Sequence, residues 1–152
     1  PIIAEIQALV TPTVFTAPRR TSNGIDYNRM YLILAVLEKR LGLRFSANDV
    51  YMNVIGGLEI DEPASDLSVA LALISSLTDK VVPDELIALG ELGLSGECRA
   101  VSNLDLRLHE ASRLGFTRAM VPFRNLERQK QDFDIELIPI KTIYDALRVL
   151  RG

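Results

Sequence analysis

Residues 61–73 read DEPASDLSVALAL: an acidic turn and a proline leading into an apolar helix that carries two hydroxyls, Ser65 and Ser68. A hydroxyl at the start of such a helix is a candidate nucleophile. It then needs a base nearby that can lose its proton near neutral pH. The bland alternative is that Ser65 caps the helix N-terminus and Ser68 bonds back to a carbonyl. The second set of chemistry-bearing residues is cationic. Arg19 and Arg20 stand in the Pro-rich stretch TPTVFTAPRRTSNG, a long connection or an irregular hairpin arm, where they could meet nucleic-acid phosphates, form an intersubunit salt bridge or remain solvated. Arg29 falls at the start of a helix, where a cation is mildly unfavourable to the dipole, so it points to a partner or to an ion pair with Asp26. Arg118, Arg124, Arg128 and Lys130 are expected to gather at one strand end and the loop after it, diluted by Glu127 and Asp132.

Other chemistries have little to work with. His109 is the one histidine and Cys98 the one cysteine, too few for a zinc site or an internal disulfide. His109 reads as a surface helix residue and Cys98 as a small hydrophobe in a sheet. Asp66 reads as charge compensation at a helix N-terminus rather than a metal ligand, with Asp61 and Glu62 in the same acidic turn. Gly56, Gly57, Gly90, Gly93 and Gly96 mark turns and close backbone approach without phosphate-loop spacing.

These residues must be positioned by a mixed α/β chain. Alternation over 2–10 predicts a strand. Helical spacing of Met30, Ile33, Leu34, Leu37 and Leu41 predicts a helix over 26–42, started by Asp26 and stopped by Gly42. A strand is expected over 50–57 and a buried helix over 65–80. Residues 85–92 and 97–101 read as an antiparallel hairpin. A helix capped by Asn103 is expected over 103–115, then a strand over 118–122, a polar loop, a strand over 135–140 and a closing helix. The order predicts one domain over 1–152, a sheet covered by helices. The stretch VVPDELIALGELGLS, 81–95, has few charges and could bury a patch against a second copy.

The 152 residues are 48% hydrophobic and 24% charged, enough apolar material for a core. A net charge of −3 argues against a uniformly basic nucleic-acid binder but leaves room for a basic face. No apolar run is long enough for a membrane span, and the single cysteine makes a reducing compartment the default.

Two strings carry a family resemblance. VIGGLEIDEPASDLSVALALISSLTDK followed by ALGELGLSGECRAVSNLDLRLHEASRLGFTRAMVPFRN resembles the Lon-type peptidase domain over roughly residues 50–150. A turn opens a buried helix, a GE-x-x-L-x-G hairpin follows, then a helix and a strand ending in VP. The front string, with PRR, DYNR and LAVLEKR, resembles the RadA (Sms) family of DNA-repair ATPases, whose C-terminal domain is Lon-like.

The resemblance implies a Lon protease-like, ribosomal protein S5 domain 2-like fold, and a fragment lacking the zinc-finger and ATPase parts of a longer protein. It places Ala64 at the family's serine and Arg107 at its lysine. A methyl cannot attack a carbonyl, and a guanidinium stays protonated and cannot act as base. The expectation is therefore a non-proteolytic domain that supports a homo-hexameric ring and meets single-stranded or branched DNA through Arg19, Arg20, Arg29, Arg118 and Arg124, with no catalytic residue and no metal of its own. ATP, Mg and Zn are implied for the full-length protein, with branch migration in recombinational repair as its activity, a RecA-type recombinase as a further partner and the bacterial cytoplasm as its place. The alternatives are an active Lon-like serine peptidase using Ser65 or Ser68, or a polypeptide-binding module.

Overall fold

The computed structural model describes residues 3–55, 62–127 and 133–152. Gly56, Gly57, Asp61, Arg128, Lys130 and Asp132 of the sequence reading lie outside the described residues. The chain forms β1 (Ile6–Pro12), β2 (Arg20–Asn23), α1 (Tyr27–Leu41), β3 (Asn48–Val54), a 3-10 turn (Pro63–Ser65), α2 (Asp66–Thr78), β4 (Leu86–Ala88), β5 (Glu91–Leu92), β6 (Cys98–Arg99), α3 (Leu104–Arg113), β7 (Arg118–Pro122), α4 (Phe123–Leu126), β8 (Glu136–Ile140) and α5 (Ile143–Arg151). This is the mixed α/β arrangement that the alternating periodicities predict.

Local signals account for α1. The Asp26 side chain accepts from the Arg29 N–H, and Gly42, at φ 69°, donates back to the Glu38 carbonyl. That is an N-cap at one end and a left-handed glycine stop at the other. Its stripe of Met30, Ile33, Leu34, Val36 and Leu37 is buried. Helix α2 buries seven of its thirteen residues. Each fully buried Leu or Ile there contributes about 1.5–3 kcal/mol relative to exposure.

Among the described residues three sheets result. One has the order β1-β3-β2, with β1 antiparallel and β2 parallel to β3. Another is the parallel sheet β4-β7-β8, and β5-β6 is a separate antiparallel pair. The parallel sheet separates two apolar clusters. Leu86, Ala88, Met120 and Ile140 join the larger one, with α1, α2 and α5. Ile87, Leu89, Ala119 and Val121 join the smaller one, with Leu104, Leu108 and Ala111 of α3. The alternation follows from the period of two along each strand.

Several expectations are corrected. Residues 85–92 and 97–101 do not form one hairpin: β4 leaves to pair with β7, and only β5 and β6 pair locally. The stretch after β1, a connection or a hairpin arm by its sequence, holds a strand, β2, which pairs in parallel with β3 and not with β1. The polar loop after β7 begins with the helical turn α4. Asn103 stands at the N-cap of α3 but adopts a left-handed backbone and makes no side-chain cap bond. Ser65 likewise occupies the α2 N-cap position without a side-chain cap bond.

Candidate functional site

A groove of about 1310 Å³ has the exposed side of α2 as its floor. One wall is β1, the edge strand of its sheet, and the other is β4, the edge of the parallel sheet. Backbone polarity along β1 can be assigned by parity. The Glu5 carbonyl accepts from Ile55 N–H, so odd residues face β3, whereas Val10 N–H turns the other way and donates to Ser76 Oγ at 2.8 Å. The backbone groups of Ile6 and Ala8 therefore face the groove. Exposed Leu9, Val81 and Leu114 make its rim apolar.

Ala64, Ser65, Ser68, Glu62 and Arg107 all line this groove, so the two positions singled out by resemblance share one site although 43 residues apart in sequence. Ala64 sits in the 3-10 turn, 7% exposed, its carbonyl accepting from Gly90 N–H at 2.9 Å. Arg107 is buried on α3. Its Nε donates to the Ser102 carbonyl at 2.8 Å and its Nη2 pairs with Glu62. The guanidinium thus ties α3 to the turn before α2. Ser68 Oγ donates to the Ala88 carbonyl at 2.7 Å, across to β4 rather than back along its own helix. The lining residues include carboxylates at Glu5, Glu62 and Asp84 but no lysine or histidine. Among the described residues that line the groove, a serine thus meets no amine or imidazole that could take its proton.

Arg29 meets a different partner from the one expected. Its Nε donates to Asp66 Oδ1 at 2.7 Å and its Nη2 pairs with Asp66 Oδ2, while Asp26 accepts only its backbone N–H. Asp66 is 2% exposed and also accepts from Leu92 N–H at 2.9 Å. The hydrogen bonds that Arg29 donates to Asp66 raise its pKa above its ordinary value against a smaller lowering from burial. Asp66 is thus a clamp joining α1, α2 and β5, more than the dipole compensation read from its position.

The remaining cations are dispersed. Arg19 is exposed and stacks on Phe15 with its guanidinium carbon 3.9 Å from the ring centroid, and its backbone N–H donates to Asp49 at 2.7 Å. Arg20 turns inward: Nη1 donates to the Asn48 carbonyl at 2.5 Å and Nη2 to the Phe45 carbonyl at 2.9 Å. Arg118 opens β7 and pairs with Glu85 at 3.2 Å, whereas Arg124 is exposed on α4, past the far end of β7. Arg118 and Arg124 thus lie at opposite ends of a five-residue strand, while Arg128 and Lys130, the other two cations expected beside them, lie outside the described residues. His109 is exposed on α3, edge-on to Phe133 at 5.8 Å. Cys98 is buried in β6, its thiol pushed up to about 12 by desolvation and then by Asp145 and Asp66. Among the described residues no three His, Cys, Asp or Glu side chains converge as a metal site, and no helix is long and apolar enough to cross a membrane.

Sequence reasoning missed the Glu62–Arg107 tie and the Arg29–Asp66 clamp. A carboxylate in the turn before α2 was visible, but nothing local links it to a residue on α3.

Comparison with known proteins adds an independent line. The family model described as subunit ChlI of Mg-chelatase matches residues 29–125. The chain is 48% identical over 149 residues to the DNA repair protein RadA of Synechocystis sp. (strain ATCC 27184 / PCC 6803 / Kazusa), covering 98% of this chain and 29% of that protein. It is 44% identical over 152 residues to the RadA of Halalkalibacterium halodurans, covering 100% of this chain and 33% of the relative. To the RadA of Streptococcus pneumoniae it is 47% identical over 148 residues, covering 97% and 35%. The chain therefore spans about a third of the length of the curated relatives it matches.

Proposed function

The chain belongs to the family of the Mg-chelatase subunit ChlI model and matches the DNA repair proteins RadA along nearly its full length, and on that premise we propose that it is the non-proteolytic, Lon-like part of a RadA-type DNA repair protein. Its role is architectural: it supports assembly of a homo-hexameric ring and offers a DNA-facing surface to an ATP-driven branch-migration activity carried by other parts of such a protein. ATP, Mg and Zn belong to those parts, and DNA, a second copy of the chain and a RecA-type recombinase are its partners in the bacterial cytoplasm.

The observation that carries the non-proteolytic reading is the state of Arg107. Beside a methyl at Ala64, its guanidinium is committed to the Ser102 carbonyl and to Glu62. A guanidinium presents only donors, so it offers a serine no acceptor for its proton. Incubation with fluorescein-labelled casein tests this directly, with release no faster than the blank expected. Cleavage that disappears in Ser65→Ala or Ser68→Ala would establish the active peptidase instead.

For DNA contact, exposure favours Arg19 and Arg124. Arg20, Arg29 and Arg118 are engaged with carbonyls or carboxylates of the chain itself, so a phosphate would have to displace those partners. Arg19→Ala and Arg124→Ala should each weaken binding to a dT20 oligonucleotide and lower its salt dependence. Equal affinity and salt slope in both variants would remove them from the interface.

A second reading, a polypeptide-binding module, is favoured by the two strand edges that line the groove. An extended segment could add to β1 through the outward backbone groups of Ile6 and Ala8. Ala8→Pro removes one outward donor without touching the β3 ladder, and edge strands tolerate proline. Loss of unfolded-casein binding in that variant, with the fold intact by circular dichroism, would support this reading.

A further inference from the structure

Asn23 is the last residue of β2, and Gly24, Ile25 and Asp26 carry the chain from there into α1. Asn23 is the one asparagine followed by glycine; Asn28, Asn48, Asn53, Asn103 and Asn125 precede Arg29, Asp49, Val54, Leu104 and Leu126. The side-chain carbon of an asparagine amide can be attacked by the backbone nitrogen of the next residue. A side chain on that next residue obstructs the approach, and glycine has none.

The backbone leaves this nitrogen free. Val50 N–H donates to the Arg19 carbonyl at 2.9 Å, so the odd residues of β2 turn their backbone groups to β3. Ser22 N–H, one step out of phase, points the other way, to Tyr27 Oη at 3.4 Å. By the same alternation Gly24 N–H points away from β3, and among the described residues no backbone carbonyl accepts it. Gly24 has left the strand conformation, at φ 94°. The Asn23 side chain is exposed, and among the described residues nothing bonds its amide. Asn48 and Asn125 are held by contrast: Asn48 Nδ2 donates to the Arg44 carbonyl at 3.3 Å, and Asn125 bonds both backbone groups of Val101 at 2.9 Å. One bond opposes the reaction. Ser22 Oγ donates to the Ile25 carbonyl at 2.6 Å, spanning the Asn23–Gly24 peptide and holding both its flanks. Ring closure requires Asn23 to rotate out of its extended backbone, and this tether resists that rotation.

We propose that Asn23–Gly24 is a self-deamidating site whose pace is set by the Ser22–Ile25 hydrogen bond. Gly24 N gives its proton to solvent base and bonds to Asn23 Cγ. The Cγ–Nδ2 bond breaks, and Nδ2 takes a proton from solvent and departs as ammonia. Water then opens the succinimide at one of its two carbonyls, giving an aspartate or an isoaspartate at position 23. Register puts Asn23 beside Asn53 on the exposed face of the sheet, so an aspartate there meets an amide donor. An isoaspartate instead routes the main chain through the side-chain methylene, lengthening it just before Asp26, the N-cap of α1.

Peptide mapping by mass spectrometry, on the folded chain held at mildly alkaline pH, tests this. Acid at position 23 should accumulate about tenfold faster than at any other asparagine, each of which is followed by a side chain. A protein isoaspartyl methyltransferase with labelled S-adenosylmethionine should label the same peptide. Ser22→Ala, with its fold checked by circular dichroism, should quicken the reaction about two- to tenfold, the net worth of one hydrogen bond. Asn23→Gln keeps an exposed amide but requires a larger ring, and should remove the methyl label from this peptide. Acid at position 23 appearing no faster than at Asn28 or Asn53 would overturn the site. An equal rate in the parent and in folded Ser22→Ala would overturn the tether.

Discussion

Replacing Arg29 by Met separates a fold clamp from a nucleic-acid contact. Asp66 is 2% exposed and accepts from Arg29 Nε, Arg29 Nη2 and Leu92 N–H. Arg29→Met keeps an apolar stem but leaves that carboxylate with the Leu92 donor alone. Breaking a buried pair from one side costs about 3–5 kcal/mol. Asp66 is also the first residue of α2, where the helix dipole returns about 0.3–1 kcal/mol, up to about 2 when partly buried. The lower end, about 3 kcal/mol, is therefore expected, a Tm drop of about 6–12 °C for a chain of this size. Asp66→Asn, which keeps an acceptor for Leu92, should cost less, about 1–2 kcal/mol. The double variant should cost at least 1 kcal/mol less than the sum of the singles, as contacting pairs do. Urea unfolding followed by circular dichroism gives all three values. Parent-like stability of Arg29→Met together with weakened dT20 binding would refute the reasoning and return Arg29 to the DNA-contact set.

Three further outcomes follow from the geometry. Gly90→Ala would place a Cβ 2.6 Å from Cys98 Sγ, so it should destabilise by about 1–3 kcal/mol, and Cys98→Ala in the same chain should recover part of that in urea unfolding. The Cys98 thiol, buried and pushed up to about 12, should resist a thiol-specific reagent at pH 8 in the folded chain and react at once in urea. Partial burial pushes the Asp145 carboxyl up, but the Lys141 and Thr142 N–H groups and Arg148 outweigh it and hold it below the ordinary value. Its stabilisation is therefore present above the unfolded value of about 3.9 and is lost as pH falls through the lower folded value. The stability advantage of the parent over Asp145→Asn should accordingly hold at pH 7 and shrink below pH about 4.

Elements with local punctuation were legible from the sequence. Asp26 and Gly42 bracket α1, and the apolar positions between them fix its buried face. Features held by distant pairings were not. β2 is four residues without alternation, RTSN, and is a strand only because β3 lies beside it. β4 reads as half of a hairpin because ELGLSGE is a good turn, yet its partner is β7, and a parallel pairing leaves no local turn signal. Asn103 has the residue type of a cap, but its left-handed backbone points the side chain elsewhere. The same limit applies to side chains: spacing offers Arg29 either an outside partner or its neighbour Asp26, while its carboxylate is 37 residues away. Spacing within a helix ranks near neighbours, whereas burial selects the partner that removes the larger desolvation cost.

The polar side chains of the groove are engaged with the fold. Arg107 fastens α3 to the turn before α2 through Ser102 and Glu62. Ser68 fastens α2 to β4 through the Ala88 carbonyl, and Ser76 fastens α2 to β1 through Val10. Ala64, on the same turn, places its methyl in the smaller apolar cluster while its carbonyl holds Gly90. Each polar side chain in this set ties α2, or the turn that starts it, to a wall of the groove. An amine at position 107 would form a point contact with Glu62 and lose the planar fork that also reaches Ser102. Arg107→Lys should therefore loosen the α3–α2 junction even where it restores an ionisable amine. With Glu62 beside it, that amine keeps its proton, so pairing it with Ala64→Ser should yield a less stable chain and no casein cleavage.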